Sequence, residues 1–191
     1  MPGATIFFTV CLAHRGATLL TDEVALLRSA VRRTKLRRPF HIDAWVVLPD
    51  HMHAVWTLPK DDANFSDRWG SIKARFSREV RLKHGLGLVG CKPTLRNASP
   101  DCRVGLQPTT INQVSALRSK SKLAKQDAGI WQRRFWEHHI RNQDDYVAHL
   151  RYCWNNPVRH RLVANAVDWP YSSIHRDLDL AQPDRAITNA A

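Results

Sequence analysis

The residues best suited to chemistry are two histidines, His51 and His53, in the segment WVVLPDHMHAVWTLP. The segment predicts two strands joined by a tight Pro-Asp turn, and side chains alternate between the faces of a strand, so both imidazoles project from one face. Neutral imidazoles at this spacing can chelate one divalent ion. Because two ordinary surface or capping histidines have the same pattern, other residues must decide between the interpretations.

A candidate nucleophile lies in the segment NQDDYVAHLRYCWNNP, which predicts a helix. At about 100° of rotation per residue its apolar side chains form one stripe: Tyr146, Val147, Leu150, Cys153 and Trp154. Tyr152 falls nearly opposite that stripe, together with Asp145 and His149, and Asn156 lies one turn beyond it. Tyr152 is therefore either a plain surface tyrosine or a functional one.

Chemistry connects the histidine pair with the tyrosine. A phenol with a pKa of about 10 is a weak nucleophile at neutral pH, so its attack on a phosphodiester requires a more electrophilic phosphorus. A divalent ion on His51 and His53 would meet this need by binding a non-bridging phosphate oxygen as a Lewis acid. Asn156 is a candidate further ligand, and His149, one turn before Tyr152, is a candidate acceptor of the phenol proton.

The composition restricts the class of protein and its partners. The formal net charge is +12, with 29 Lys and Arg against 17 Asp and Glu. This excess favours a polyanionic partner, and nucleic acid is preferred over a membrane because no single basic amphipathic helix carries the charge. The chain has no apolar run of about 18 residues, no signal-peptide pattern and no C-x-x-C pair, which predicts a cytoplasmic protein with reduced cysteines.

The elements that position these residues follow the order β-α-β-β-α-β-α. Two β-α-β halves predict an α+β fold with a ferredoxin-like antiparallel sheet and helices on one face, so the open face would carry His51 and His53. The predicted strands are at Thr5–Ala13, twice within Ala44–Pro59, and at Trp131–Ile140. The predicted helices run from a cap at Thr21 or Asp22 to Pro39, from Phe65 to Val80, and from Gln143, capped by Asn142, to Pro157. A DWPYSS segment at Asp168–Ser173 predicts an anchored turn.

The chain of 191 residues fits one catalytic domain at 1–176, followed by a disordered tail at 177–191. Frequent Gly and Pro between about 84 and 129 predict a flexible insertion. Its end is basic, which indicates either a solvated tether or an arm that binds a nucleic-acid backbone. The basic residues concerned are Arg118, Lys120, Lys122 and Lys125.

Four segments in order, WVVLPDHMHAVWTLP, WQRRFWEHHIRN, DYVAHLRYCWNNPVRHRLV and DWPYSS, resemble the REP-associated tyrosine transposases, a branch of the single-tyrosine HUH transposases. The resemblance implies an HUH endonuclease fold that cleaves and rejoins single-stranded DNA at palindromic hairpins through a 5′-phosphotyrosine link. It implies that His51 and His53 are the HUH pair, that Asn156 is a third ligand of Mg²⁺ or Mn²⁺, and that Tyr152 is the nucleophile. The short N-terminus and the long insertion depart from the family pattern.

Single-stranded or hairpin DNA is the expected partner of a monomer without a nucleotide cofactor. Basic side chains on the predicted elements are candidate DNA contacts: Lys73, Arg75, Arg78, Arg133, Arg134, Arg141 and Arg159. Two alternatives remain, a protein that binds hairpin DNA without cutting it and an RNA-recognition-type sheet with the same order of elements. The chain lacks the aromatic, Gly-rich strand that the second alternative uses.

Overall fold

The computed structural model of the protein describes residues 2–85 and 129–181. In chain order the elements are β1 (Thr5–Cys11), α1 (Leu19–Asp22), α2 (Val24–Arg37), β2 (His41–Val47), β3 (His51–Thr57), α3 (Phe65–Lys83), β4 (Trp136–His139), α4 (Gln143–Arg159), a 3-10 turn (Ala166–Asp168) and α5 (Ile174–Ala181). Nearly all of the predicted insertion at about 84–129, and the last ten residues of the predicted tail, lie outside the described residues.

The four strands form one antiparallel sheet in the order β2-β3-β1-β4. This is the predicted ferredoxin-like arrangement, since β1 and β3 lie in the centre and each β-α-β half contributes one edge strand. The register aligns Thr9 of β1 with His53 of β3 on one side and with Trp136 of β4 on the other. The α+β fold class is therefore confirmed.

The larger core lies between one face of the sheet and helices α2 and α3. Met52, Ala54 and Trp56 of β3 are fully buried in it, as the alternation of the strand predicts. Trp56 stacks on Trp69 of α3 with ring centroids 4.2 Å apart and an interplanar angle of 16°. The two connecting helices thus share one face of the sheet.

Helix α2 begins later than the sequence predicts. Thr18 donates from its hydroxyl to Asp22, and Leu19–Asp22 form the separate short helix α1. The N-cap of α2 is consequently Glu23, without a side-chain capping bond, and not Thr21 or Asp22. The helix ends at Arg37, before Pro39, as predicted.

The opposite face of the sheet is not open, contrary to our expectation, because α4 packs across it. A second buried cluster joins the sheet to this helix: Phe7, Ala44, Val46, Leu48, Val55 and Cys153. The predicted anchored turn lies along the edge strand β2. There, Trp169 Nε1 donates to Val47 O at 2.9 Å and Ser173 N donates to Trp45 O at 2.8 Å. The histidine face of β3 is therefore buried under a helix.

The predicted strand at Trp131–Ile140 is interrupted. Leu12 pairs with Trp131 and Thr9 pairs with Trp136, so one strand advances by two more residues than the other between these pairs. The extra length forms a bulge with exposed Arg133 and Arg134. A regular strand would point one of these arginines at each face of the sheet, and the bulge keeps both in solvent.

No helix within residues 2–85 and 129–181 is both long enough and apolar enough to cross a bilayer.

Candidate active site

The two histidines lie side by side on β3, with ring centroids 5.1 Å apart. They are almost completely buried, with 5% of His51 and 3% of His53 exposed. Nδ1 of His51 lies 2.6 Å from Asp50 Oδ1, and Nδ1 of His53 lies 2.9 Å from Thr9 Oγ1. Hydrogen bonds of this kind fix the tautomer of metal-binding imidazoles. When both Nδ1 atoms donate, both Nε2 atoms are the acceptors that bind a metal.

Asn156 reaches the same place from α4. Only 1% of the residue is exposed, and its amide contacts the His53 ring. Its carbonyl oxygen Oδ1 is buried, and no hydrogen-bond partner for it occurs in the described part of the chain. A buried oxygen without a partner is destabilising, and a bound cation would satisfy it. The donor set of two imidazoles and an amide oxygen therefore fits a divalent ion such as Mn²⁺ or Mg²⁺.

The local environment keeps both imidazoles neutral. Burial lowers the pKa of His53 to about 3, and the charges of His51 and His160 act in the same direction, while the Asn156 amide opposes the shift. Burial also lowers the pKa of His51, against the opposing influence of Asp50. The neutral form is the one that coordinates a metal, so both rings are ready to bind at neutral pH.

Asp50 holds His51 from outside the site. Its Oδ2 accepts from Gly16 N at 2.8 Å and lies 3.2 Å from Arg15 Nε. Burial raises the pKa of the Asp50 carboxyl, but the bonds from His51 and Gly16 outweigh it and leave the pKa lowered. The sequence analysis missed this residue, although an acid directly before an H-x-H pair is a usable signal. It also missed Thr9, which only the register of β1 against β3 reveals.

The position of Tyr152 opposite the apolar stripe suggested that it lies on the solvent face of α4. The structure contradicts this expectation. The exposed stripe is formed by Asp144, Ala148, Arg151 and Asn155. The Tyr152 ring is half-buried and meets Phe7 edge-on at 5.6 Å and His53 edge-on at 5.2 Å. Because the sheet beneath α4 is wide, the buried arc of the helix extends beyond the apolar stripe and includes the polar residue Asn156. The predicted nucleophile and the predicted ligands therefore meet, although the predicted orientation of the tyrosine is wrong.

Arg159 lies on the other side of the tyrosine, with Cζ 5.0 Å from the centroid of the Tyr152 ring. A guanidinium over an aromatic ring is a favourable cation–π arrangement. It also places a permanent positive charge beside the phenol.

Tyr146 and His149 have other partners. The Tyr146 hydroxyl donates to Asp43 Oδ1 at 3.0 Å, and burial raises its pKa to about 12, which makes it a poor nucleophile. His149 Nδ1 lies 2.9 Å from Asp145 Oδ1, and none of the ring contacts among the described residues joins His149 to Tyr152. No contact within the described part of the chain supports the suggested role of His149 as acceptor of the phenol proton, and that role stays a prediction.

A second group of polar side chains lies next to the first. Ligand atoms of His138, Asp145 and His149 all lie within 4.8 Å of one another, so the group has a composition that could hold a metal. Hydrogen bonds from the His138 ring and from Arg141 N lower the pKa of the Asp145 carboxyl. The sequence analysis did not identify this group, because His138 belongs to β4 and its partners belong to α4.

The seven candidate DNA contacts are spread over several elements of the fold. Arg159 lies at Tyr152, Arg141 precedes α4, and Arg133 and Arg134 form the bulge before β4. The other three are on α3, which covers the opposite face: Lys73, Arg75 and Arg78. Arg159 contacts the candidate nucleophile, whereas Lys73 Nζ donates to Gln132 O at 3.1 Å and so lies at the bulge that carries Arg133 and Arg134. The roles of all seven stay predictions.

Comparison with known proteins identifies relatives, although no family model matches the chain. The REP-associated tyrosine transposase of Escherichia coli (strain K12) is 39% identical over 176 residues, which cover 92% of this chain and 79% of the relative. A Haemophilus influenzae (strain ATCC 51907 / DSM 11121 / KW20 / Rd) protein that carries the same family name is 36% identical over 176 residues, covering 92% and 82%. A solved structure of the REP-associated tyrosine transposase bound to a REP hairpin is similar with a TM-score of 0.68 and 38% identity, covering 96% of this chain and 82% of that one.

Proposed function

This chain belongs to the REP-associated tyrosine transposases, and we propose that it cleaves and rejoins single-stranded DNA at palindromic hairpin elements. Tyr152 is the nucleophile of this proposal, and His51, His53 and Asn156 hold a divalent ion. The observation that carries it is the contact of the Tyr152 ring with the His53 ring at 5.2 Å, beside the Asn156 oxygen that has no hydrogen-bond partner in residues 2–85 and 129–181. Hairpin DNA is the proposed partner because a related transposase was solved with a REP hairpin.

In the proposed reaction, Tyr152 Oη attacks the phosphorus of the scissile phosphodiester. A bond forms between the tyrosine oxygen and the phosphorus of the 5′-phosphate, and the bond from phosphorus to the 3′-oxygen breaks. The phenol loses its proton, and the departing 3′-oxygen takes up one proton to become a 3′-hydroxyl. Attack of a 3′-hydroxyl on the phosphotyrosine reverses these steps and rejoins the strand. The energy of the phosphodiester is conserved in the phosphotyrosine link, so no nucleotide cofactor is required.

The two buried imidazoles and the Asn156 oxygen support use of a metal, and the proposed ion is Mg²⁺ or Mn²⁺. When bound, it supplies Lewis-acid activation of the phosphate. The protein side chains then orient the reactants: Asp50 and Thr9 hold the imidazoles through Nδ1, and Phe7 packs edge-on against the Tyr152 ring. Such prior positioning lowers the barrier, because the hydroxyl and the phosphate do not have to be ordered in the transition state.

Arg159 adds an electrostatic contribution. Its guanidinium lies 5.0 Å from the centre of the Tyr152 ring, so its positive charge favours the negatively charged phosphate that becomes attached to this residue. More generally, the net charge of +12 favours contacts with a phosphate backbone. We further propose that the protein acts in the cytoplasm at the nucleoid, where a protein that acts on chromosomal hairpins would meet its DNA.

The test is a labelled hairpin oligonucleotide with single-stranded flanks, incubated with the protein in Mn²⁺, in Mg²⁺ or in EDTA. We expect a covalent protein–DNA adduct that survives SDS, forms with either metal and is absent in EDTA. Tyr152→Phe should form none, whereas the matched control Tyr171→Phe should behave as wild type. Hairpin binding without an adduct in any metal would support the non-cleaving alternative, and preference for a single-stranded RNA would support the RNA-recognition alternative.

A further inference from the structure

An exposed tryptophan lies on the same side of the sheet as the candidate active site. Trp136 belongs to the edge strand β4, and 56% of the residue is exposed. Thr9 pairs with Trp136 on one side and with His53 on the other, so the three residues form a row across adjacent strands. Adjacent strands are about 4.8 Å apart, which places Trp136 roughly 10 Å from His53.

The indole is held in place by other rings. Trp136 stacks on His138 with centroids 5.9 Å apart and an interplanar angle of 4°, and His138 stacks on His149 at 4.7 Å and 18°. Asp145 bonds to both imidazoles, at 2.9 Å from His138 Nε2 and 2.9 Å from His149 Nδ1. The exposed ring is therefore the outer member of an ordered stack and not a freely rotating side chain.

Phe7 connects the Trp136 indole to the proposed nucleophile. Phe7 packs edge-on against Trp136 at 5.6 Å and edge-on against Tyr152 at 5.6 Å, so one phenyl ring contacts both. Arg133 and Arg134, in the bulge that precedes Trp136 in the chain, are exposed to solvent. An ordered, exposed aromatic ring next to the candidate active site of a protein with a formal net charge of +12 has the chemistry of a stacking site for an unpaired base.

The group of His138, Asp145 and His149 is less well explained as a metal site than as a support for the indole. The imidazole nitrogens of His138 and His149 that face Asp145 are already satisfied by its carboxylate. A metal would have to replace these bonds, and it would not explain the exposed indole.

We propose that Trp136 stacks an unpaired base of the single strand that flanks the hairpin and so brings the scissile phosphate to Tyr152. This inference rests on the DNA-binding part of the proposed function. The ligand is a single-stranded nucleotide immediately next to the cleaved phosphate. Stacking tolerates every base, so Trp136 contributes affinity for single strand over duplex and not sequence preference.

The test compares two oligonucleotides, a hairpin with an unpaired flank and the same hairpin without it, bound to the full chain carrying Tyr152→Phe. For Trp136→Ala we expect the affinity for the flanked hairpin to fall about 5- to 150-fold, the range of base–aromatic stacking, with little change for the unflanked hairpin. Trp136→Phe should restore most of the loss. Leu36→Ala, at an exposed apolar position on α2, is the matched control and should change neither affinity.

A second measurement does not require a variant at position 136. Flanks carrying 5-iododeoxyuridine at successive positions are irradiated with the Tyr152→Phe protein, and the crosslinked peptide is sequenced. We expect a crosslink to Trp136 from a flank nucleotide near the scissile bond. Equal loss of affinity for both oligonucleotides in Trp136→Ala, no loss for either, or crosslinks only to other residues would overturn the inference.

The outcomes separate this inference from the proposed function, because the binding assay needs neither metal nor cleavage. If wild type forms the covalent adduct but Trp136→Ala keeps its flank-dependent binding, only the stacking inference fails. If wild type forms no adduct but Trp136→Ala loses flank-dependent binding, the cleavage proposal fails and the stacking site stands.

Discussion

The imidazole of His53 meets the ring of Tyr152 edge-on, with centroids 5.2 Å apart and an interplanar angle of 78°. One residue comes from the centre of the sheet and the other from the helix that covers it. Because the two rings are in contact, we expect a phosphate oxygen bound near His53 to be within reach of the tyrosine hydroxyl. This contact is the geometric basis for expecting separate effects from changes to the hydroxyl and changes to the rings.

Replacement of Tyr152 by Phe should abolish the covalent adduct and leave hairpin affinity within a few-fold. The change removes one hydroxyl and keeps the ring contacts with Phe7 and His53. No hydrogen bond to this hydroxyl is found among the described residues, so the free energy of unfolding should change by less than about 0.5 kcal/mol. The measurements are adduct formation on an SDS gel, binding by anisotropy and unfolding in urea. An adduct with the Phe variant would place the nucleophile elsewhere.

Replacement of Tyr146 by Phe should give the reverse pattern. Its hydroxyl donates to Asp43 Oδ1 at 3.0 Å, and Asp43 also accepts from Thr57 at 2.9 Å. Loss of one of these bonds should lower the free energy of unfolding by about 1 kcal/mol. Adduct formation should persist, measured at a temperature where the variant is fully folded. Loss of the adduct in the folded variant would contradict the assignment of Tyr152.

The sequence was sufficient to predict the α+β fold and the ferredoxin-like order of its main strands and helices, because these follow from local patterns. The alternation in β3 separates Met52, Ala54 and Trp56 from the two histidines without any knowledge of the rest of the chain. The sequence did not predict that α4 packs on the second face of the sheet. A polar arc on α4 predicts solvent exposure unless a partner surface is known, so the burial of Asn156 and the inward side of Tyr152 were missed.

The bulge before β4 was missed for a related reason. The aromatic and basic residues from Trp131 to Ile140 have the composition of a strand, and the composition does not show that two arginines are excluded from the ladder. Residues that act through pairing between distant strands, such as Thr9 at His53, depend on register, which local patterns leave undetermined.

Replacement of Asp50 by Asn should weaken metal binding without removing a proposed ligand. Asp50 orients His51 through Nδ1 at 2.6 Å, and such outer hydrogen bonds contribute about 10- to 100-fold to metal affinity. We expect a loss of this size for Mn²⁺ by isothermal titration calorimetry. Asp43→Asn, a change of the same type at a carboxylate bonded to Tyr146, is the matched control and should keep the wild-type affinity. Unchanged binding in Asp50→Asn would show that this bond does not orient a ligand.

Replacement of His53 by Ala should remove Mn²⁺ binding and with it the stabilisation that the ion gives. A ligand that binds only the folded state stabilises it by about 2.7 kcal/mol at 100 times its Kd. The thermal midpoint of wild type should therefore rise with Mn²⁺, whereas that of His53→Ala should not. Cys153→Ala, a change in the buried cluster between the sheet and α4, should be less stable overall yet keep its response to Mn²⁺. An equal rise in His53→Ala would move the metal to another site, with His138, Asp145 and His149 as the next group to test.

The buried imidazoles also predict how the stability of the metal-free protein depends on pH. Burial lowers the pKa of His53 to about 3 and also lowers the pKa of His51. An unfolded histidine has a pKa of about 6.5, so below that pH the unfolded chain binds protons that the folded chain does not. The free energy of unfolding should therefore fall as the pH is lowered from about 6.5, by at most about 1.4 kcal/mol per pH unit for each histidine.

The useful window for this measurement is about pH 4.5 to 6.5. Below it, carboxyl groups with a lowered pKa, such as Asp50, also cause a loss of stability, because an unfolded Asp or Glu begins to take up protons at a pH of about 4. Urea unfolding in EDTA across this window should give a clear slope for wild type and a smaller slope for His53→Gln, which lacks the titrating group. Val55→Ala, at a buried position on the same face of β3, should lower stability at every pH and keep the wild-type slope. An equal slope in His53→Gln would mean that this imidazole takes up its proton in the folded protein as readily as in the unfolded chain, and that it does not remain a neutral ligand in acid.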